Sequence, residues 1–414
     1  MKLGLENIRV LLDALGNPQS NYLKVQVAGT NGKGSVCAFL DSICFEAGIP
    51  TGVFTSPHLV SITERIQIGG KEVSETEFAR LATLVRETSE SLVAGGKLER
   101  VPTYFEQVTA MALQAFADAK VELAILETGL GGRFDATTAA NAEIAAITRI
   151  DLDHQEYLGD TIEEIAAEKA AIIHAGSRVV IGEQQKEVLR VVLDRCTQFG
   201  IHAVKNCESF IEAIDTLNHS AVVGFRTEND LYHDPNLGLK GRHQIENARI
   251  AVMLADVLRF DFGFNISTDS VYDGLENARH PGRMEYVGRF LFDGAHNIAG
   301  AKALRAYLDE FVTQPITMIF AAMKDKDVNE IGEILFPKVD ALILTKSENS
   351  RALDPDQILE QMTAGFDKSS VILTGNVHEA IARAECIARD NSIILTTGSL
   401  YLVGEAKRIL SSQI

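Results

Sequence analysis

The chain has no tryptophan, nine prolines and only five cysteines in 414 residues. Cys37, Cys44, Cys196, Cys207 and Cys386 are odd in number and none forms a C-x-x-C pair, so neither a disulfide framework nor a thiolate zinc site is expected. A reducing, cytoplasmic setting fits that usage. No apolar run reaches membrane-spanning length, and Met1-Lys-Leu-Gly-Leu-Glu-Asn-Ile8 lacks the apolar centre of a signal peptide, so no membrane association is expected. Positive charge is also scarce: 39 Lys+Arg stand against 57 Asp+Glu, a net charge of −18, with no basic block. That field opposes nucleic acid and anionic membranes as partners, and any anionic ligand has to be held by a local cluster. Internal repeats and low-complexity segments are absent as well. What remains is a globular composition, 46% hydrophobic and 23% charged, long enough for two or three domains.

The strongest local pattern is Val25-Gln-Val-Ala-Gly-Thr-Asn-Gly-Lys-Gly-Ser35. A short β-branched run enters a glycine turn (Gly29, Gly32, Gly34), and a helix follows with Val36, Phe39, Leu40, Ile43 and Cys44 on one face. Strand, glycine turn and helix together present backbone N–H groups to phosphate, with Lys33 able to reach the terminal phosphates and Thr30 or Ser35 a phosphate or its Mg²⁺. The match to the P-loop pattern is not strict, because Val27 replaces the first glycine and Gly34 separates Lys33 from Ser35. A plain strand-to-helix turn is the alternative. Nucleotide binding fits the context better.

The rest of the chain alternates strands and helices. Helices are expected over 5–15, 75–93, 103–118, from Thr161, over 186–199, over 243–260 and over 400–411, and strands near 51–56, 121–126, 144–148, 178–181 and 201–204. Residues 57–70 read as a long ordered loop, and 225–241 as a loop or small hairpin. A new alternation begins after His280-Pro-Gly-Arg283, with strands near 290–292, 316–321, 340–345, 371–374 and 392–396. The expected architecture is therefore α/β: a P-loop-type ATP-binding domain over 1–282 and a smaller Rossmann-like domain over 283–414. Lys33, Ser56, Glu127 and His154 each follow a strand in the first domain, and Asp293 does so in the second. Ligands bind beyond the carboxyl ends of strands in open α/β sheets, so these residues are expected around one cleft. Taken singly, Ser56 before Pro57 reads better as turn chemistry, Glu127 equally as a loop carboxylate, His154 equally as a surface histidine, and Lys169 as a solvent-facing helix residue.

Ten motifs in order make the chain resemble the folylpolyglutamate synthase/dihydrofolate synthase family of Mur-type ATP-dependent amide ligases, over nearly its whole length. They are Gly29-Thr-Asn-Gly-Lys-Gly-Ser35, Thr55-Ser-Pro-His-Leu59, Glu64-Arg-Ile66, Glu127-Thr-Gly-Leu-Gly-Gly-Arg133, Leu152-Asp-His154, Glu168-Lys-Ala170, Gly241-Arg-His-Gln244 with Asn247, Pro281-Gly-Arg283, Asp293-Gly-Ala-His-Asn297 and Ser399-Leu-Tyr401. The resemblance implies that ATP phosphorylates a substrate carboxylate and that the amine of L-glutamate attacks the acyl phosphate, with a folate or dihydropteroate as acceptor. It implies Mg²⁺, two ions, held through Ser56, Glu127 and His154, together with a monovalent cation and a carbamate on Lys169. It also implies nucleotide contacts from Gly29 to Ser35 (Thr30, Asn31, Gly32, Lys33 and Gly34 between them) and from Asn247, Arg283, Asp293 and His296. Substrate contacts fall to Arg65, Ser399 and Tyr401, catalytic roles to Lys33, His154 and Lys169, and the protein is expected to be a monomer. Asp151 departs from the family's small residue and is expected to add negative charge beside His154; Ala171 replaces a frequent glycine. The weaker alternatives are another Mur-type amino-acid ligase, a P-loop switch without ligase chemistry, and a Rossmann dehydrogenase. The last is disfavoured because Phe134 stands where Gly129-Leu-Gly-Gly-Arg-Phe134 would need its third glycine.

Overall fold

The computed structural model describes residues 4–215, 220–233, 235–362 and 367–411. In chain order the first strands are β1 (Leu23–Ala28), β2 (Thr51–Phe54), β3 (Ile66–Ile68), β4 (Lys71–Glu72), β5 (Leu123–Glu127), β6 (Ile144–Ile147) and β7 (Arg178–Ile181). They form one sheet in the order β4-β3-β2-β5-β1-β6-β7. The five strands from β2 to β7 in that order are parallel, and β3 and β4 add an antiparallel edge. Apolar layers cover both faces, as the near-continuous hydrophobicity of β5 and β6 requires. Helices Lys33–Glu46, His243–Asp261 and Thr268–Asn277 pack on one side, and Glu6–Ala14, Glu75–Ala94 and Tyr104–Asp118 on the other. A Cβ on Gly52 of β2 would run into the Phe116 ring, so that close strand–helix approach requires glycine.

A three-stranded antiparallel sheet follows: β8 (Glu208–Asp215), β9 (Ser220–Arg226) and β10 (Leu231–Tyr232). The second large sheet holds β11 (Glu285–Val287), β12 (Phe290–Phe292), β13 (Ile316–Phe320), β14 (Ala341–Leu344), β15 (Ile372–Leu373) and β16 (Ile393–Thr397), in the order β11-β12-β16-β13-β14-β15. All its pairings are parallel except the β11–β12 hairpin. One core lies on each face of it, so this lobe is also doubly wound. Among the described residues no helix is long and apolar enough to cross a membrane.

Two sequence expectations need correction. The loop expected over 57–70 contains a 3₁₀ turn, Ile62–Arg65, and the strands β3 and β4. Residues 201–204 make only an isolated bridge, Val180 to Val204, rather than a strand. The segment 225–241, expected as a loop or small hairpin, holds the antiparallel β9–β10 hairpin, with Arg226 opposite Leu231 and Phe225 opposite Tyr232; the first strand of that small sheet, β8, was not expected from the sequence.

Candidate active site

The order of the first sheet places β1 between β5 and β6, so the glycine turn after β1 is flanked by the loops leaving both neighbours. The turn is tightly anchored. The N–H groups of Thr30 and Asn31 both donate to the Arg149 carbonyl at 2.9 and 3.2 Å, and the Thr148 hydroxyl donates to the Asn31 carbonyl at 2.7 Å. Gly32 has φ +86° immediately before the helix, and a Cβ there would meet the Asn247 amide. A Cβ on Gly34 would meet the His280 ring. Lys33 folds back over the turn, its Nζ 3.2 Å from the Gly29 carbonyl and 3.3 Å from that of Thr30. Ser35 is buried in the first helical turn.

The Thr30 hydroxyl differs from expectation. It donates to the Asp151 carbonyl at 2.9 Å and accepts the Asp151 N–H at 3.1 Å, so it staples two loops together. Asp151 differs too. Its carboxylate faces Arg149 Nε at 3.3 Å and accepts from Asn31 Nδ2 at 3.3 Å, so its charge is spent on the glycine turn and Arg149 rather than on His154.

Glu127, at the end of β5, is buried and accepts the Ser56 N–H at 3.0 Å. Burial raises its carboxyl pKa, opposed by Lys33, the Ser56 N–H, Arg283 and Arg65. A carboxylate, and a hydroxyl on the residue whose N–H it accepts, are hard oxygen donors of the kind Mg²⁺ takes, with nucleotide oxygens and water left to complete the shell. His154 takes a left-handed conformation at the start of a short helix, and its ring is partly exposed. Burial lowers its pKa, as do Lys326, Lys169 and Lys33 against the opposing pull of Asp153, so a neutral imidazole is available as a ligand. Among the described residues no three acidic, histidine or cysteine side chains converge on a metal position, so protein groups alone do not build a cage.

Lys169 corrects the solvent-facing alternative. It is only 5% exposed, and its ammonium donates to the Gly29 carbonyl at 2.8 Å. Burial, with repulsion from Lys33, lowers its pKa to about 7. Glu164 is no partner to it, because that carboxylate closes a capping box by accepting the Asp160 and Thr161 N–H groups at 2.8 and 3.1 Å.

From the second lobe, the charge of Arg283 acts on Glu127, Asp293, His243, His280 and His296 together. Asp293 is buried, which raises its pKa, and accepts N–H groups from Ala295 and Met284 at 2.9 and 3.1 Å. His296 Nδ1 lies 2.7 Å from the Gly294 carbonyl and so carries the proton, while burial holds its pKa down at about 4. Asn247 is buried and donates to Gln244 Oε1 at 2.8 Å. Arg65 is buried, with Nε on His58 Nδ1 at 2.9 Å and its guanidinium 5.7 Å from the Tyr104 ring centroid.

Ser399 lies between Gly398, whose N–H donates to the Ala295 carbonyl at 3.0 Å, and Leu400, whose side chain packs on Gly294, so it borders the Asp293–His296 segment. The Ser399 hydroxyl accepts the Tyr401 N–H at 3.2 Å, a helix cap, and the Tyr401 hydroxyl accepts from Arg351 at 3.3 Å. Two seam residues were missed as site residues. Asn297 donates to Asn31 Oδ1 and Asp153 Oδ2, both at 3.2 Å, and Lys326 Nζ lies 3.0 Å from Asp153 Oδ1. Asn297 stood inside a quoted motif. Lys326, in a short charged turn, carried no local signal.

Two doubly wound lobes meeting over a phosphate-type glycine turn and a buried carboxylate define a Mur-ligase-type protein. In agreement, residues 27–255 match the Mur ligase middle domain and residues 282–400 the Mur ligase glutamate ligase domain. The dihydrofolate synthase/folylpolyglutamate synthase of Bacillus subtilis is 34% identical over 99% of this chain and 95% of its own length. A probable bifunctional folylpolyglutamate synthase/dihydropteroate synthase of Haloferax volcanii is 35% identical over 98% of this chain, which spans about half (48%) of that relative. The folylpolyglutamate synthase of Mycobacterium tuberculosis complexed with ADP superposes with a TM-score of 0.91 at 32% identity, covering 98% of this chain and 94% of that one. The chain belongs to the folylpolyglutamate synthase/dihydrofolate synthase family of Mur ligases.

Proposed function

We propose that this protein is an ATP-dependent carboxylate–amine ligase that adds L-glutamate to a folate and to dihydropteroate, releasing ADP and phosphate. The observation that carries the proposal is Glu127: a buried carboxylate facing the combined charge of Lys33 and Arg65 from one lobe and Arg283 from the other. Three cations around one carboxylate, beside a glycine turn, suit a site that positions a triphosphate and neutralises its transferring phosphoryl group.

In this proposal the turn from Gly29 to Ser35 cradles the phosphates, with the N–H groups after Asn31 at the helix start facing them while those of Thr30 and Asn31 stay on the Arg149 carbonyl; Asn247 faces the adenine, and Asp293 and His296 hold the nucleotide from the second lobe. Arg283 matches its planar fork to the γ-phosphate. Ser56, Glu127 and His154 hold Mg²⁺, which supplies charge neutralisation at the phosphoryl oxygens. A monovalent cation and a carbamate on Lys169 belong to the same proposal, the latter supported by a buried amine with a pKa near 7. Arg65 serves an acceptor carboxylate, and Ser399 and Tyr401 the glutamate side. Acyl-phosphate chemistry leaves no need for an enzyme nucleophile. The domain limits of 1–282 and 283–414, a monomeric state and a cytoplasmic location complete the proposal; five free cysteines, four of them buried, are consistent with a reducing compartment.

The test is a product assay with purified protein, Mg–ATP and labelled glutamate, run separately with dihydropteroate and with tetrahydrofolate. Labelled glutamyl product with stoichiometric ADP is expected for both acceptors. AMP in place of ADP, or ADP formed equally without an acceptor, overturns the assignment.

A further inference from the structure

Leu59, on the loop after β2, lies with its main chain directly against Gly404 in the helix Leu400–Ser411. A Cβ on Gly404 would overlap the Leu59 carbonyl oxygen, so no side chain fits at 404 while the loop keeps this path. The Leu59 side chain reaches the hinge, the His280-Pro-Gly-Arg283 segment that joins the two lobes: a Cβ on Gly282 would lie 3.0 and 3.4 Å from its two methyl carbons and 3.3 Å from Val403. Helix and hinge are tied to each other behind this contact. Lys407 holds Glu285 at 2.6 and 2.7 Å, and Glu285 accepts the Gly282 N–H at 2.7 Å.

On the first lobe, the Glu64 carboxylate accepts the N–H groups of Leu59, Val60 and Ser61 at 2.7, 2.8 and 2.7 Å, so these residues move as one piece. Just upstream of them Ser56 meets Glu127, and just downstream Arg65 is held by His58. Leu59 is therefore the point where the loop bearing a metal-side serine and a substrate-side arginine touches the opposite lobe.

We propose that Leu59 is a positioning residue, whose seat on Gly282, Val403 and Gly404 fixes the loop carrying Ser56 and Arg65 only when the second lobe is docked. The kinetic part of the test rests on the ligase proposal; the structural part does not. Gly404→Ala and Leu59→Ala each break the seat from a different side, and Leu59→Met preserves its bulk. Alanine in a helix interior raises helix propensity, so a role confined to helix stability predicts undiminished thermal stability and normal kinetics for Gly404→Ala. The seat predicts faster amide exchange at residues 59–61 in both alanine variants, with folding retained. It also predicts an acceptor KM raised about tenfold or more with lower kcat, since a displacement of about 1 Å can cost up to ~10²-fold. ADP affinity without acceptor stays within about twofold, because the glycine turn is untouched, and Leu59→Met stays close to wild type.

Unchanged exchange at 59–61 in the alanine variants overturns the proposal, as does faster exchange with normal acceptor kinetics or an equal loss of ADP affinity. Should Gly404→Ala fail to fold, Leu59→Ala carries the same comparison. A wild-type protein that makes no glutamyl product removes the ligase proposal, while the exchange measurement still decides whether the seat holds the loop.

Discussion

Lys326 and Asp153 meet across the seam between the lobes, with the ammonium 3.0 Å from Oδ1 and each side chain 11% exposed. Asn297 completes the contact by donating to the other carboxylate oxygen at 3.2 Å. Burial alone would raise the Asp153 pKa, but Lys326, His154 and His296 outweigh it and hold the carboxyl well below its usual range. Asp153 is thus charged at any pH at which the enzyme works, and it neighbours His154. Lys326→Ala is expected to cost about 2 kcal/mol of stability, the scale of a hydrogen bond to a charged group. It should also lower kcat/KM about tenfold or more by loosening lobe docking. Denaturant melts alongside steady-state kinetics decide this, and kinetics equal to wild type would remove the pair from the working geometry.

Lys33 and Glu127 make the second prediction. Either alanine variant is expected to lower kcat by about 10²–10³-fold or more, the scale of losing one preorganised charge at a developing anion. Both should fold normally, because among the described residues the Lys33 ammonium hydrogen-bonds carbonyls of its own turn and Glu127 is a carboxylate whose charged form burial disfavours. Circular dichroism with a turnover assay checks both halves, and a near-normal kcat in either variant excludes that residue from phosphoryl transfer.

Lys169 sets a pH dependence. Its folded pKa of about 7 lies below the ordinary lysine value, so between the two the unfolded chain binds the extra proton. Its stability contribution is therefore complete above the unfolded value and is lost as pH falls through about 7. The same neutral amine can add CO₂, forming an N–C bond and releasing a proton. With ¹³C-bicarbonate a carbamate carbon signal is expected near pH ~8 and not near pH ~6, on either side of that pKa. Lys169→Arg should abolish it. A signal that survives in Lys169→Arg, or none at the higher pH with Mg–ATP bound, disproves the modification.

Metal removal should separate folding from turnover. Among the described residues no acidic, histidine or cysteine cluster forms a metal cage, so chelation is expected to leave the melting temperature of the free protein unchanged. Turnover should vanish and return with added Mg²⁺. A chelator-induced fall in melting temperature would reveal a structural ion.

Much of the site could be read from neighbours in the chain. Gly29 to Ser35, Ser56 and His154 follow strands of the first sheet and Glu127 ends one, and a parallel sheet gathers the carboxyl ends of its strands at one edge; Asp293 follows a strand of the second sheet. Elements of three and two residues such as β3 and β4 are too short to show a period, and β8, Glu-Ser-Phe-Ile-Glu-Ala-Ile-Asp, breaks the period-2 pattern with adjacent apolar pairs in a strand whose register shifts between Ile211 and Ala213. Helical spacing leaves the Lys169 amine in solvent as readily as in the core. Only the packing of its helix beside the glycine turn buries it and pulls its pKa down.

Periodicity and turn chemistry, acting between residues a few positions apart, determined two α/β lobes, a phosphate-type turn and the strand ends around it. Contacts that join distant parts of the chain were decided only by the tertiary structure. Asp153 finds Lys326 173 residues later, and Leu59 finds Gly404 at the far end of the chain. Neither partner carries a local mark, because each becomes functional only through the docking of one lobe on the other.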